Sequence, residues 1–202
     1  MHDIAILIPA AGASSRMLGK DKLLEPVDGM PLLRRQASRA LFTGCHVTVT
    51  VPDHDHPRCK ALAGLPVQLV AVPDAADGMS ASIRRGVAML PKGMTAVMIL
   101  PGDMPDLEVP DLLKLIHGFR AVPHPMLQQA CGADGTPGHP VLFPADCFMG
   151  LTRLTGDQGA REIVKANAHR LARIPLEGDR ALTDLDTPEA WEKWRQKGLC
   201  AA

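Results

Sequence analysis

The clearest pattern along the chain is a series of short, uninterrupted apolar runs. Residues 4–8 and 96–100 are entirely apolar, and a proline closes each run. Runs of this length are too short to form free-standing helices. They are typical of strands that are buried on both faces of a parallel sheet. Further runs rich in apolar or β-branched residues predict strands at residues 46–51, 67–72, 126–130 and 171–174.

Segments with helical periodicity lie between these runs. Strands that alternate with helices indicate an α/β protein with a mostly parallel sheet that helices cover on both faces. No linker, repeat or low-complexity segment interrupts the pattern, so residues 1–202 are predicted to form one Rossmann-like, three-layer domain. The helices are predicted to begin near Pro31, at Ser80 as an N-cap, near Pro110, around Gly156, and at Thr187 as the cap of a terminal helix with Trp191 and Trp194.

The charge balance narrows the choice of ligand. Lys and Arg together number 22, and so do Asp and Glu, so the chain has no overall field that would hold nucleic acid or an acidic membrane. An anion site must therefore be local, which favours a small molecule. The five cysteines contain no C-x-x-C pair, and no apolar stretch reaches membrane-spanning length. We expect reduced thiols in a cytoplasmic protein without a signal peptide.

The loop after the first predicted strand is the strongest candidate for a ligand site. Pro9 ends the strand, and residues 10–15 are Ala, Gly and Ser, whose small side chains let a ligand approach the backbone amides. Arg16, Lys20 and Lys22 add three nearby cations, which predicts a cradle for a polyphosphate. The alternative is an ordinary small-residue turn with solvated basic side chains.

Two familiar phosphate-binding motifs do not fit this loop. A P-loop has Ser or Thr after its Gly-Lys pair, whereas Asp21 follows Gly19 and Lys20 here. A dinucleotide fingerprint needs three closely spaced glycines, but Gly12 is followed by no other glycine before Gly19. The loop is therefore predicted to bind phosphates through a different arrangement.

Carboxylates are expected beside this loop. Asp103 follows the run at 96–100, and the carboxyl ends of parallel strands lie at one edge of a sheet. A carboxylate next to phosphates implies a divalent cation between them, and Mg²⁺ prefers oxygen ligands. Asp184 and Asp186 alternate in an extended segment, so one of them is predicted to join Asp103 on the metal. The alternatives are a turn-forming role for Asp103 and a helix-start role for Asp186.

Other segments offer weaker signals for ligand contacts. The breaker-rich segment 131–140 is predicted to form a loop. It contains His139, which is predicted to contact a substrate at the mouth of the next strand, although a single histidine there is more often structural. The helix start near Gly156, with Arg161, is suited to a second anion. The Asp- and His-rich segment 53–56 is interpreted as a solvated turn before a proline rather than as a metal site.

The motifs together resemble one family of enzymes. In this order they are similar to those of the nucleotidyltransferases of the molybdenum-cofactor branch, which have a fold of the nucleotide-diphospho-sugar transferase type. Leu18 is a departure, because the family commonly has glycine directly after the Arg-Met pair, and the longer loop leaves open whether Lys20 or Lys22 reaches the phosphates. The motifs are A-A-G-x-S-x-R-M at 10–17, K-L-L at 22–24, G-D-M-P at 102–105, G-H-P at 138–140, G-D-x-G-A-R at 156–161 and D-L-D-T-P at 184–188.

The resemblance implies a reaction and a role for each matching residue. The reaction is Mg²⁺-dependent transfer of CMP from CTP to the terminal phosphate of molybdopterin, with release of pyrophosphate. Catalysis is assigned to Arg16, Lys22 and Asp103, and metal binding to Asp103 and Asp186. Nucleotide binding is assigned to Ala10, Ala11, Gly12, Ser14, Arg16, Lys22, Ser80 and Gly102, and substrate binding to Gly138, His139, Pro140, Asp157 and Arg161.

The choice of nucleotide depends on one position. The guanylyl branch of the family usually has Gly-Gly where this chain has Ala11-Gly12, which favours CTP over GTP. The alternatives are a guanylyltransferase or sugar-phosphate nucleotidyltransferase of the same fold, and a non-catalytic cofactor chaperone for a molybdenum hydroxylase. The resemblance also implies a molybdenum hydroxylase as the recipient partner of the product.

Overall fold

A seven-stranded sheet with helices on both faces dominates the computed structural model, which describes residues 3–156 and 159–200. This is the predicted three-layer α/β architecture. The strands are β1 (Ile4–Pro9), β2 (Pro26–Val27), β3 (Met30–Pro31), β4 (His46–Val51), β5 (Gln68–Ala71), β6 (Ala96–Ile99), β7 (Leu127–Cys131), β8 (Pro137–Pro144) and β9 (Leu171–Pro175). The helices are α1 (Leu32–Phe42), α2 (Pro57–Ala61), α3 (Met79–Ala88), α4 (Val109–Arg120), α5 (Phe148–Leu151), α6 (Arg161–Ala166) and α7 (Pro188–Cys200).

The strand order of the main sheet is β5-β4-β1-β6-β8-β7-β9, and β2 pairs with β3 in a separate hairpin. Strands β4 and β6 both pair in parallel with β1, and β8 is the one strand that runs antiparallel to its neighbours within this sheet. From β1 the chain moves outward to β4 and β5 and then returns to the other side of β1 with β6. The sheet therefore has a switch point between β1 and β6, where open α/β sheets form their ligand crevice.

Strand β1 is buried on both faces, as its apolar run predicts. Ile6 packs in one layer with Ala37 of α1 and Leu115 of α4. Leu7 faces the opposite layer, where it packs with Ile83 of α3. All side chains from Ile4 to Ile8 have no measurable exposure to solvent. This double burial fixes the position of the loop that leaves the strand.

Two local predictions are wrong. Gly78, with φ +94°, is the N-cap of α3, and the Ser80 hydroxyl donates instead to the carbonyl of Thr155. A positive φ of this size favours glycine, so the entry into α3 selects Gly78 and not the serine. The segment of Gly138, His139 and Pro140 lies inside β8 rather than in a loop. Pairing with β7 and a bond from the His139 amide to the Ala181 carbonyl sustain the strand despite its breakers.

The sequence predicts reduced thiols and no membrane-spanning segment, and both features can be examined in the structure. In the part of the chain that the structure describes, no helix combines the length and apolar character needed to cross a membrane. The thiols of Cys45, Cys59, Cys131 and Cys147 are free.

The terminal helix α7 packs onto loops from the beginning of the chain. Trp191 is buried in a cluster with Met17, Val27, Leu32 and Leu185. Thr187 caps the helix as predicted, since its hydroxyl accepts from the Ala190 amide at 3.2 Å. Met17 and Leu185 directly adjoin two charged residues, Arg16 and Asp186, so this small apolar cluster holds both charges in place.

We predict that Trp191→Ala lowers the free energy of unfolding by about 3 kcal/mol or more, since a buried aromatic side chain is removed from a packed cluster. Phe42→Ala is the matched control, because Phe42 is 78% exposed whereas Trp191 is 2% exposed. The control should change stability by no more than ~0.5 kcal/mol. Urea denaturation followed by circular dichroism measures both, and equal midpoints for the two variants would contradict the packing role of Trp191.

Candidate active site

A cavity of about 450 Å³ opens at the carboxyl ends of β1 and β6, at the switch point of the sheet. The loop after β1 forms one wall, and the segment after β6 forms another. The beginning of α3 and the segment before α7 complete it. Its lining includes Ala10, Gly12, Ser14, Arg16, Lys22, Gly78, Ser82, Gly102, Asp103, His139 and Asp186. Residues that are far apart in the sequence therefore meet around one crevice.

The loop after β1 presents backbone amides that donate no hydrogen bond to the described part of the protein. The amides of Gly12, Ala13 and Ser14 have no acceptor among the described residues, whereas the Ala10 amide donates to Thr50. A Cβ atom built on Gly12 meets nothing within 4 Å, so the space beside this backbone is open. Ser14 adopts a left-handed conformation with φ 51°, and a 3₁₀ turn follows at Ser15–Met17. Free amides next to open space are suited to an anion.

Two cations and two carboxylates form a cluster at the edge of this cavity. The Lys22 ammonium donates to the Asp103 carboxylate and, at 2.5 Å, to Oδ1 of Asp186. The Arg16 guanidinium donates to Oδ2 of the same Asp186 at 2.6 Å. Arg16 is 71% exposed, so its pairing with Asp186 is screened by water and adds little to stability. The cluster is suited to exchange partners when a charged ligand enters.

The pKa shifts in this cluster follow from its packing. Burial lowers the pKa of Lys22, but the carboxylates of Asp103 and Asp186 outweigh burial and leave that pKa raised. Burial raises the pKa of Asp186, but its bonds to Lys22 and the charge of Arg16 leave that pKa lowered. Lys22 and Asp186 are therefore both charged at neutral pH. The pKa of Asp184 is raised, mainly because its carboxylate is partly removed from water and also because Asp103 and Asp186 are negatively charged.

The residues of the cluster fit a divalent cation. Asp103 and Asp186 present hard oxygen donors to one shared ammonium. The described residues contain no group of three or more His, Cys, Asp and Glu side chains that could hold a metal. Mg²⁺ usually keeps several waters and takes one or two carboxylates together with substrate phosphates. Asp103 and Asp186 are the side chains that would hold it.

Lys20 and Lys22 occupy different places. Lys22 lines the cavity at the switch point, whereas Lys20 lines a separate hollow on the far side of the same loop. Leu18, two residues before Lys20, adopts a left-handed conformation and is 85% exposed. Asp184 is separated from Asp186 in a similar way, because it lines a hollow beside α7 and not the cavity. Lys22 and Asp186 are therefore the members of each pair that meet Asp103.

The predicted substrate residues are only partly brought together. His139 lines the cavity and is exposed to solvent, and the protein atoms around its imidazole lower its pKa. Gly138 is buried, and no larger side chain would fit there, because a Cβ atom would lie 2.1 Å from the Ala181 carbonyl oxygen. Pro140 is buried in β8, and Arg161 is exposed at the beginning of α6. Asp157 lies outside the described residues.

The predicted nucleotide-binding residue Ser80 does not line the cavity, and one arginine that bonds to the loop after β1 was not predicted. Ser80 is fully buried, whereas Ser82 lines the cavity beside Gly78 and Met79. The missed residue is Arg58 of α2, which is 2% exposed and bonds to the loop after β1. Arg58 follows the Asp- and His-rich segment 53–56, which was interpreted as a solvated turn. A basic residue that follows a helix-starting proline gave no sequence signal for a buried contact.

Comparison with known sequences aligns up to 95% of this chain with named nucleotidyltransferases. It is 30% identical over 202 residues to the probable molybdenum cofactor guanylyltransferase of Natronomonas pharaonis, with 95% of this chain and 96% of that protein covered. It is 27% identical to the molybdenum cofactor cytidylyltransferase of Escherichia coli, with 94% of each covered. The bifunctional protein GlmU of Clavibacter sepedonicus is 32% identical over 58% of this chain, which spans only about a quarter (24%) of GlmU.

Comparison with solved structures gives the same fold. Rv0371c from Mycobacterium tuberculosis H37Rv superimposes with a TM-score of 0.83 at 25% identity, over 96% of this chain and 98% of that one. A nucleotidyl transferase from Methanothermobacter thermautotroptrophicus gives a TM-score of 0.81 at 21% identity and covers 100% of both chains. The sequence pattern of the MobA-like NTP transferase domain matches residues 6–172, which include the cradle loop, Lys22 and Asp103. The chain belongs to the MobA-like NTP transferase family.

Proposed function

We propose that this protein transfers CMP from CTP to the terminal phosphate of molybdopterin and releases pyrophosphate. One observation carries the proposal: residues 12–14, whose amides have no acceptor among the described residues, line the same cavity as the Lys22, Asp103 and Asp186 cluster. A nucleoside triphosphate needs both features, since its phosphates require amide and cationic donors and its reacting phosphorus requires charge neutralisation. Cytidylyl and guanylyl relatives that align over nearly the whole chain support this substrate class.

The proposed chemistry needs little from the protein beyond positioning and charge. A phosphate monoester has a second pKa of about 6, so the acceptor is mostly dianionic at pH 7 and needs no general base. Its oxygen forms a bond to the α-phosphorus of CTP while the bond to the bridging oxygen breaks, and pyrophosphate leaves with that electron pair. Lys22 and Arg16 neutralise the charge that moves onto the leaving oxygens, and the loop amides hold the phosphates in line.

A divalent cation completes the proposed site. When bound, it would act as a Lewis acid on the phosphate oxygens. Asp103 and Asp186 are its ligands in this proposal, and Lys22 is released from them to face the phosphates. Rv0371c from Mycobacterium tuberculosis H37Rv has been solved as a complex with manganese, which makes Mn²⁺ a second candidate for this cation.

The preference for CTP rests on Ala11. Its methyl group is 3% exposed and packs against Val72 and Ala81. The resemblance separates the two branches at this position, where guanylyl members usually have glycine. A methyl group here fills space that a glycine would leave free beside the loop. The proposal places the reaction in the cytoplasm, with a molybdenum hydroxylase as the recipient of the product.

We predict that pyrophosphate release with molybdopterin and Mg²⁺ occurs with CTP and is at least about tenfold slower with GTP, ATP or UTP, a ratio typical of pockets that differ by one small group. The assay runs the four nucleotides in parallel under identical conditions. Selective release with GTP would assign the chain to the guanylyl branch instead. Binding of molybdopterin without pyrophosphate release from any nucleotide would favour the chaperone alternative.

Asp103→Asn is expected to lower kcat with CTP by about 10² or more, because the carboxylate charge beside the reacting phosphates is lost while its shape is kept. Asp55→Asn is the matched control, since Asp55 is exposed in the loop before α2 and does not line the cavity. The control should retain the kcat of the parent protein. An Asp103→Asn variant with parental kcat would remove Asp103 from the catalytic set.

Gly12→Ala should raise the KM for CTP on the order of tenfold, because its methyl group would enter the space proposed for the phosphates. The fold should tolerate this change, since a Cβ at Gly12 meets nothing within 4 Å and no positive φ is required there. Thermal unfolding checks that the variant melts with the parent protein. An unchanged KM in a folded variant would show that the phosphates lie elsewhere.

A further inference from the structure

Arg58 is almost fully enclosed, and every partner of its guanidinium lies in the loop after β1. Nη1 donates to the carbonyls of Ala10 at 2.6 Å and Gly12 at 2.8 Å. Nη2 donates to the Ser14 hydroxyl at 3.1 Å and to Oδ1 of Asp21 at 2.8 Å, and Nε donates to Oδ2 of Asp21 at 2.8 Å. These five bonds use the full donor set of one planar fork.

The bonds to two carbonyls have a consequence for the opposite side of the loop. A carbonyl that pointed at a phosphate would repel it, because both groups carry negative charge on oxygen. Arg58 holds the carbonyls of Ala10 and Gly12 on its own side, and the amides of residues 12–14 are left without acceptors in the described part of the chain. One buried side chain on the opposite side of the loop therefore determines which way these two carbonyls point.

Asp21 extends the same contact along the loop to the segment that carries Lys22. Its two oxygens receive Arg58 in a bidentate pair, and Oδ1 also accepts from the Leu23 amide at 3.0 Å. Lys22 lies between Asp21 and Leu23 in the sequence. The Arg58–Asp21 pair thus connects the amide cradle to the segment that carries the Lys22 ammonium.

We propose that Arg58 is a positioning residue for phosphate binding, and that its bidentate pair with Asp21 keeps the loop amides and Lys22 aimed at the same anion. This proposal rests on the proposed function for the nature of the anion, a nucleoside triphosphate or its pyrophosphate product. Arg58 itself does not face the cavity at the switch point. It acts through the carbonyls and the carboxylate that it holds.

The geometry distinguishes arginine from lysine at this position. A lysine keeps the positive charge, but its single ammonium cannot pair with both Asp21 oxygens and reach two carbonyls at once. Arg58→Lys therefore removes the fork while it keeps the charge that balances Asp21. Arg34→Lys is the matched control, because the Arg34 guanidinium also donates to two carbonyls, those of Ala61 and Ala63, at 2.8 and 2.9 Å outside the cavity.

The test is direct binding of inorganic pyrophosphate with Mg²⁺, measured by calorimetry on the full chain, together with the melting temperature. We expect Arg58→Lys to weaken pyrophosphate binding on the order of tenfold and Arg34→Lys to leave it unchanged, while the melting temperature shows that each variant is folded. If Arg58→Lys fails to fold, Asp21→Asn serves as the second variant, because it weakens the same pair and leaves Arg58 its carbonyl partners.

The outcomes separate this proposal from the proposed function. Weaker pyrophosphate binding in Arg58→Lys or Asp21→Asn, with parental binding in Arg34→Lys, supports the positioning role even if CTP is not the substrate. Parental binding in every folded Arg58 and Asp21 variant overturns the positioning role and leaves the nucleotidyltransferase proposal intact. A parent protein that binds neither pyrophosphate nor CTP overturns both.

Discussion

The structure depends on the pairing of one strand. Strand β1 has parallel neighbours on both edges and apolar layers on both faces, so its backbone and side chains are fixed in three dimensions. The first residue of the loop after β1 is therefore held in a fixed position. A crevice opens beside it, because the chain passes from one side of β1 to the other. A binding site made largely of backbone needs such an anchor, because small residues have few side-chain contacts of their own.

Electrostatics in this crevice are local and nearly balanced. The chain has equal numbers of acidic and basic residues, yet Lys22, Arg16, Asp103 and Asp186 concentrate both signs at one point. Without a ligand each charge has a partner, so the cluster does not carry the cost of buried, unpaired ions. A ligand that brings phosphates and a cation supplies a matching set of charges, and the partners can exchange without leaving a charge alone.

The sequence was sufficient for the general architecture and for the central residues of the site. Apolar runs closed by prolines predicted the buried strands, and the small-residue loop with its neighbouring cations predicted the cradle. Asp103 reaches the cavity because the carboxyl ends of β1 and β6 share an edge, which is a property of the fold class, whereas Lys22 and Asp186 reach it from the loop after β1 and the segment before α7. Ser82, Arg58 and the strand at His139 were beyond such reasoning. Each depends on a tertiary contact: the helix entry at Gly78, the carbonyls behind the loop, and the Ala181 carbonyl beside Gly138.

The packing of α7 against the first loop has a consequence for the newly made protein. Arg16 and Lys22 are synthesised early, but Asp186 and the Trp191 cluster that supports it come from the last part of the chain. A nascent chain that has emerged only as far as β9 contains the cradle but only one of the two carboxylates that face Lys22. Two segments that are 164 to 170 residues apart thus close the site together, and its complete set of charges appears only when both segments have folded.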